Sequence, residues 1–176
     1  MVLVDATQEE QYRLLPPAWN TLGAAMRERY RGQARWAPLE VNLGVARLRL
    51  AMRGSPVSYL LLQSKYFRAR ASELENIQVS AEQARAAGSL GTKPLVVITG
   101  GKNADPILGA GLTPRDVAEY RRIWVQELQS RLANLSTRAK WIVLPDSGHD
   151  VPADRPDAII EAIHEVSSLV RKPRRR

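Results

Sequence analysis

One histidine stands where a base could work. His149 lies in the run Trp141-Ile-Val-Leu-Pro-Asp-Ser-Gly-His149-Asp-Val-Pro-Ala-Asp154-Arg-Pro-Asp157. There a continuous apolar stretch ends, a Ser147-Gly148 turn follows, and a capped helix opens. Imidazole titrates near neutral pH, so at such a turn it can take a proton and return it. Two carboxylates hold comparable places: Asp5 directly follows an apolar run, and Asp105 lies in the loop after another. Both open at the ends of their apolar runs, as the turn carrying His149 does. The second histidine, His164, falls just off the apolar stripe of the final helix and reads as a solvated side chain.

These residues need strands to hold them. The runs at 1–4, 94–99 and 140–144 are continuously apolar, as in parallel strands covered on both faces. Between the second and third, Thr113 is an N-cap, Pro114 takes the first helical position and Asp116 completes a capping box. Val117, Tyr120, Trp124, Leu128, Leu132 and Leu135 then follow at helical spacing. The final helix opens near Asp154–Asp157 and carries Ile159, Ala162, Ile163, Val166 and Val170 on one stripe. Strand, helix, strand, helix predicts an α/β fold of about three parallel strands, with His149 at their carboxyl edge, where such sheets place reactive groups. Residues 7–91 instead read as amphipathic helices around 8–15, 20–31, 44–52, 57–70 and 81–87, an insertion of about 85 residues between two strands. The predicted organisation is a core of 1–6 with 92–170, a helical insertion at 7–91, and a basic disordered tail at 171–176.

Composition excludes several classes of function. The 176 residues are 44% hydrophobic and 25% charged, ordinary for a globular chain. With no cysteine there is no disulfide, thiolate metal site or cysteine nucleophile, and a reducing cytoplasm is the expected location. No apolar run reaches the roughly 18 residues of a membrane span, and the N-terminus lacks the basic flank of a signal peptide. Of the net charge of +8, five positive charges sit in Arg171-Lys-Pro-Arg-Arg-Arg176, so the excess is mainly a tail. With the arginines at 27, 29, 31, 35, 47, 49 and 53, that tail could support weak, salt-sensitive binding to anions or nucleic acid. There is no nucleic-acid fold motif, and no specific nucleic-acid partner is expected.

The run Ser147-Gly148-His149 followed by Asp154-Arg155-Pro156-Asp157 resembles the last strand, catalytic-histidine loop and final helix of the α/β-hydrolase fold family. The opening Met1-Val-Leu-Val-Asp5 is similar to that family's strand after the nucleophile segment, and Leu90-Gly-Thr-Lys-Pro-Leu-Val-Val-Ile-Thr-Gly100 to its next strand. The resemblance spans residues 1 to about 170 and implies a partial α/β-hydrolase fold whose helical insertion is a cap. Trp19, Trp36, Leu60 and Tyr66 would line that cap. It implies hydrolysis of a small ester or related acyl substrate by a Ser-His-Asp mechanism, with His149 as base and Asp5 or Asp105 as acid, and no cofactor or metal. Asp105 stands a residue or so further from its strand than the family pattern, which favours Asp5.

The family's nucleophile sits on a G-x-S-x-G elbow, where a strand turns into a helix. Ala87-Gly-Ser89-Leu-Gly91 comes near that pattern, but Ser89 follows a helix and precedes a strand, the reverse of an elbow. Gly100-Gly101-Lys102 lacks the spacing of a phosphate-binding loop. The chain therefore reads as the C-terminal half of the fold, without elbow or oxyanion hole, and little activity is expected from it alone. An unpaired first strand would make it prone to self-association or to pairing with a protein partner. A catalytically dead partner subunit is the alternative reading.

Overall fold

Continuous apolar runs become strands here because neighbouring strands and helices cover their faces. In the computed structural model, which describes residues 1–48, 62–102 and 112–171, the strands are β1 (Val2–Val4), β2 (Leu95–Gly100) and β3 (Ala139–Leu144). They form one parallel sheet in the order β1-β2-β3, with Val4 opposite Ile98 and Ile98 opposite Ile142. The central strand β2 is buried throughout. The outer strands depart from the two-sided burial expected of them. On β3, Trp141 and Val143 are exposed, because a strand at the margin of a sheet is covered on fewer sides.

The helices that begin and end within the described residues are α1 (Gln11–Leu14), α2 (Pro17–Asn42), α3 (Ser64–Ala87), α4 (Pro114–Arg122), α5 (Ser130–Ala133), α6 (Val151–Asp154) and α7 (Pro156–Arg171). Between α4 and α5 the chain winds as a π-helix over Ile123–Gln129. The capping box at Thr113 and Asp116 forms in both directions. One face of β2 packs Val96 and Ile98 against Val151, Ala158 and Ala162 of α6 and α7. The other packs Leu95 and Val97 against Leu132. At such sites truncating an isoleucine to alanine costs about 2–5 kcal/mol, so β2 holds much of the stability of this sheet.

Three helical expectations are corrected. The helix predicted over 20–31 runs on to Asn42, through Pro38. The segments predicted at 57–70 and 81–87 belong partly to one helix, α3, because residues 71–80 contain no glycine or proline to interrupt it. On α7 the core-facing positions are Ala158, Ile159, Ala162 and Val166, whereas Ile163 and Val170 point outward beside Ile160. His164 is exposed, as expected. The rest of the segments predicted at 44–52 and 57–70, and the tail at 172–176, lie outside the described residues.

Contacts divide the chain into two units, Met1–Ala18 with Ala81–Arg176, and Trp19–Ser80. The second is tied together by Arg31, which donates to Glu75 at 2.9 Å and Glu28 at 2.6 Å, and by the Arg70 guanidinium over the Tyr30 ring. Its described buried positions are alanines, Ala37, Ala46 and Ala71. Of the four side chains expected to line a cap, Trp36 is exposed with the Arg35 guanidinium over its ring, Trp19 and Tyr66 are half-buried, and Leu60 lies outside the described residues. Among the described residues no helix is long and apolar enough to cross a membrane.

Candidate active site

β1 ends one residue before the carboxylate. The Asp5 N–H still donates to the Ile98 carbonyl at 2.7 Å, so the ladder with β2 runs to the point where the chain turns away. There Asp5 has φ +40°, the left-handed region that costs most residues about 1–2 kcal/mol but that aspartate tolerates better than most. The turn buries its carboxylate, and Asp5 is only 4% exposed. Three donors satisfy the charge. Oδ1 accepts from the Gly100 N–H at 3.1 Å and from Trp124 Nε1 at 3.0 Å, while Oδ2 faces His149 Nδ1 at 2.7 Å.

The histidine loop is held against the end of β2 by backbone contacts that require glycine. A Cβ on Gly100 would lie 2.2 Å from the Gly148 carbonyl oxygen, and one on Gly101 would lie 2.7 Å from the Leu144 carbonyl oxygen. That closeness allows Gly101 N–H to reach Leu144 at 2.7 Å and Lys102 N–H to reach Ser147 at 2.8 Å. On its far side the loop is tied down by Asp154, which accepts from the Gly148 N–H at 2.7 Å. Arg155 joins Asp146 to Asp157 across the same turn. The two glycines and two ion-paired acids thus fix the backbone that carries His149.

An ionised Asp5 can only accept, so the neutral imidazole is assigned a proton on Nδ1, which leaves Nε2 as the free lone pair. The hydrogen bond to Asp5 raises the His149 pKa; partial burial opposes it, and the charges of Asp5 and Asp150 add to the rise. The imidazole is 81% exposed although its partner is buried, so Nε2 is open to an incoming group. Trp124 stands edge-on to the imidazole, with ring centroids 6.3 Å apart, and Tyr120 stacks on Trp124 at 5.7 Å. Burial, and secondarily the Asp5 charge, push the Tyr120 phenol well above its ordinary pKa. Chemically, this is a polarised base on a fixed acid, able to draw a proton from a hydroxyl and return it.

Of the two carboxylates left open by the sequence, Asp5 is the one bonded to His149, and Asp105 lies outside the described residues. Ser89 sits before β2, at the amino edge of a parallel sheet whose carboxyl edge carries His149, a strand length of roughly 16–20 Å away. Its hydroxyl donates to Leu135 at 3.0 Å and accepts from the Gly91 N–H at 2.9 Å. Ser147 is fully buried, with its hydroxyl turned to Gly148 and Asp154. Sequence reading missed Gly100 and Trp124 as partners of Asp5. Gly100 was legible only as a strand end, and Trp124 only as one member of an apolar stripe. Among the described residues no group of three histidine or acidic side chains is placed to hold a metal ion. No protein-family model, no curated protein and no solved structure matches this chain.

Proposed function

We propose that the chain supplies the base and the acid of a serine-type hydrolase of the α/β-hydrolase kind, acting on an ester or related acyl substrate. One observation carries the reading: a buried carboxylate at the end of one parallel strand bonds, at 2.7 Å, an exposed histidine on the loop after another. His149 Nε2 takes the proton of a serine hydroxyl as it attacks the acyl carbon, then passes it to the leaving group. Water repeats the cycle on the acyl-enzyme, and Asp5 stabilises the imidazolium in both halves. Ser89 and Ser147 do not fit the nucleophile role, since both hydroxyls are committed elsewhere.

The test is active-site labelling of the natural protein with a fluorophosphonate, followed by identification of the labelled peptide. The expected result is one labelled serine, outside residues 89 and 147, whose labelling is lost in His149→Ala and unchanged in Ser89→Ala. Absence of labelling, or labelling indifferent to His149, would overturn the reading.

A further inference from the structure

The π-helical segment is rare winding set directly behind the acid. π-helices form as short insertions in α-helices, and are found frequently at functional sites. Residues five apart on an α-helix point about 140° away from each other, whereas the i→i+5 repeat of a π-helix brings them to one side. Here the two residues so related are Trp124 and Gln129, and both reach the same turn after β1. Trp124 donates to the Asp5 carboxylate at 3.0 Å, and Gln129 Nε2 donates to the carbonyl of Ala6 at 2.8 Å. Gln129 is fully buried, and its carbonyl oxygen accepts from the Thr99 hydroxyl at 3.3 Å. Had the α-helical winding of α4 continued, one of these two side chains would face away from the sheet.

We infer that Trp124 is a positioning residue: presented by the π-helical turn, its indole N–H holds Asp5 Oδ1 so that Oδ2 stays aimed at His149 Nδ1. The bond divides the carboxylate. A carboxylate free to turn about its Cβ–Cγ bond swings both oxygens out of line with Nδ1, and the imidazole then has no fixed partner for its Nδ1 proton. With Gly100 N–H and the indole both on Oδ1, rotation breaks two hydrogen bonds at once inside a buried site. The left-handed backbone at Asp5 and the Gln129 bond to the next carbonyl brace the same turn from the main chain. The inference rests on the reading of Asp5 and His149 as an acid–base pair, but concerns the ring's proton rather than its turnover.

The experiment is nitrogen NMR of the full chain with labelled histidine, recording the tautomer of neutral His149 in the native protein and in two variants. Trp124→Phe keeps an aromatic ring and removes the donor. Replacement of Trp124 by benzothienylalanine, placed by codon suppression, exchanges only the indole N–H for sulfur and keeps the packing. The native ring is expected to be protonated at Nδ1, with that preference lost in both variants and a population protonated at Nε2 appearing. His164, exposed and remote, gives an unchanged signal as the internal control. An unchanged His149 tautomer in the benzothienylalanine protein would overturn the inference, whether or not Trp124→Phe folds. Fluorophosphonate labelling separates this from the functional reading: an intact tautomer effect without His149-dependent labelling would sink the hydrolase and leave the positioning role.

Discussion

Trp124 and His149 divide one carboxylate between them. The indole bonds Asp5 Oδ1 at 3.0 Å, the imidazole faces Oδ2 at 2.7 Å, and the two rings meet at 79°. A negative charge buried to this degree is stable only when its lone pairs are met, and here backbone, indole and imidazole meet them. The arrangement makes the acid rigid while leaving the base exposed, and the following outcomes are expected from it.

Asp5→Asn keeps the shape of the side chain, and its carbonyl oxygen can still accept from Gly100 and Trp124. Its amide then faces His149 and donates, which forces the imidazole into the tautomer protonated at Nε2. Fluorophosphonate labelling of the natural protein should slow by about 10⁴-fold, the loss seen when the orienting acid of such a triad is neutralised. Circular dichroism should show the fold retained.

The raised pKa of His149 makes stability depend on pH in a definite sense. A group whose folded pKa lies above its unfolded value of about 6.5 stabilises most fully below that pH, and the contribution is lost as pH rises through the folded value. Urea midpoints of native protein and His149→Gln should therefore differ most in mild acid and converge above neutrality. A gap that widens with rising pH would contradict the hydrogen bond to Asp5 as the cause.

Gly100→Ala should separate the histidine loop from β2. The new Cβ would meet the Gly148 carbonyl oxygen at 2.2 Å, a backbone atom that cannot swing aside. The expected cost is about 1–3 kcal/mol, as for overpacking at other tight sites, read from thermal or urea unfolding. His149 should also titrate nearer its ordinary value, because the displaced loop loosens its bond to Asp5.

Hydrogen exchange should report on the outer edge of β1. The Asp5 N–H and the Met1 carbonyl both point to β2, so the alternate peptide groups at Val2 and Val4 face away from it. In a monomer the Val4 amide should exchange about tenfold or more faster than that of Asp5. Equal protection that falls on dilution would mark pairing of this edge with another chain.

Much of the fold was legible because it depends on local pattern. Leu95–Thr99 is an unbroken run of apolar and β-branched residues, the pattern of a parallel strand covered on both faces, and Trp141–Leu144 is a shorter run of the same kind. The cap at Thr113 is written in three residues, and the turn carrying His149 in two. Misreadings arose where context overrode pattern. Trp141 and Val143 belong to an apolar run yet stand exposed, since a sequence does not say which strand is outermost. Ile163 and Val170 fit an apolar stripe, but the helix is turned so that alanines meet the sheet.

The sequence by itself determined the parallel strands, the placement of His149 at their carboxyl edge, and the two aspartates that could serve it. These follow from hydrophobic periodicity and turn chemistry, which act over a few residues. Only the tertiary structure decided that Asp5 meets His149 across 144 positions, that Gly100 must be glycine, and that a π-helical turn brings Trp124 onto the acid. The register of three strands and the winding of one helix set those contacts, and both result from packing between segments far apart in the chain.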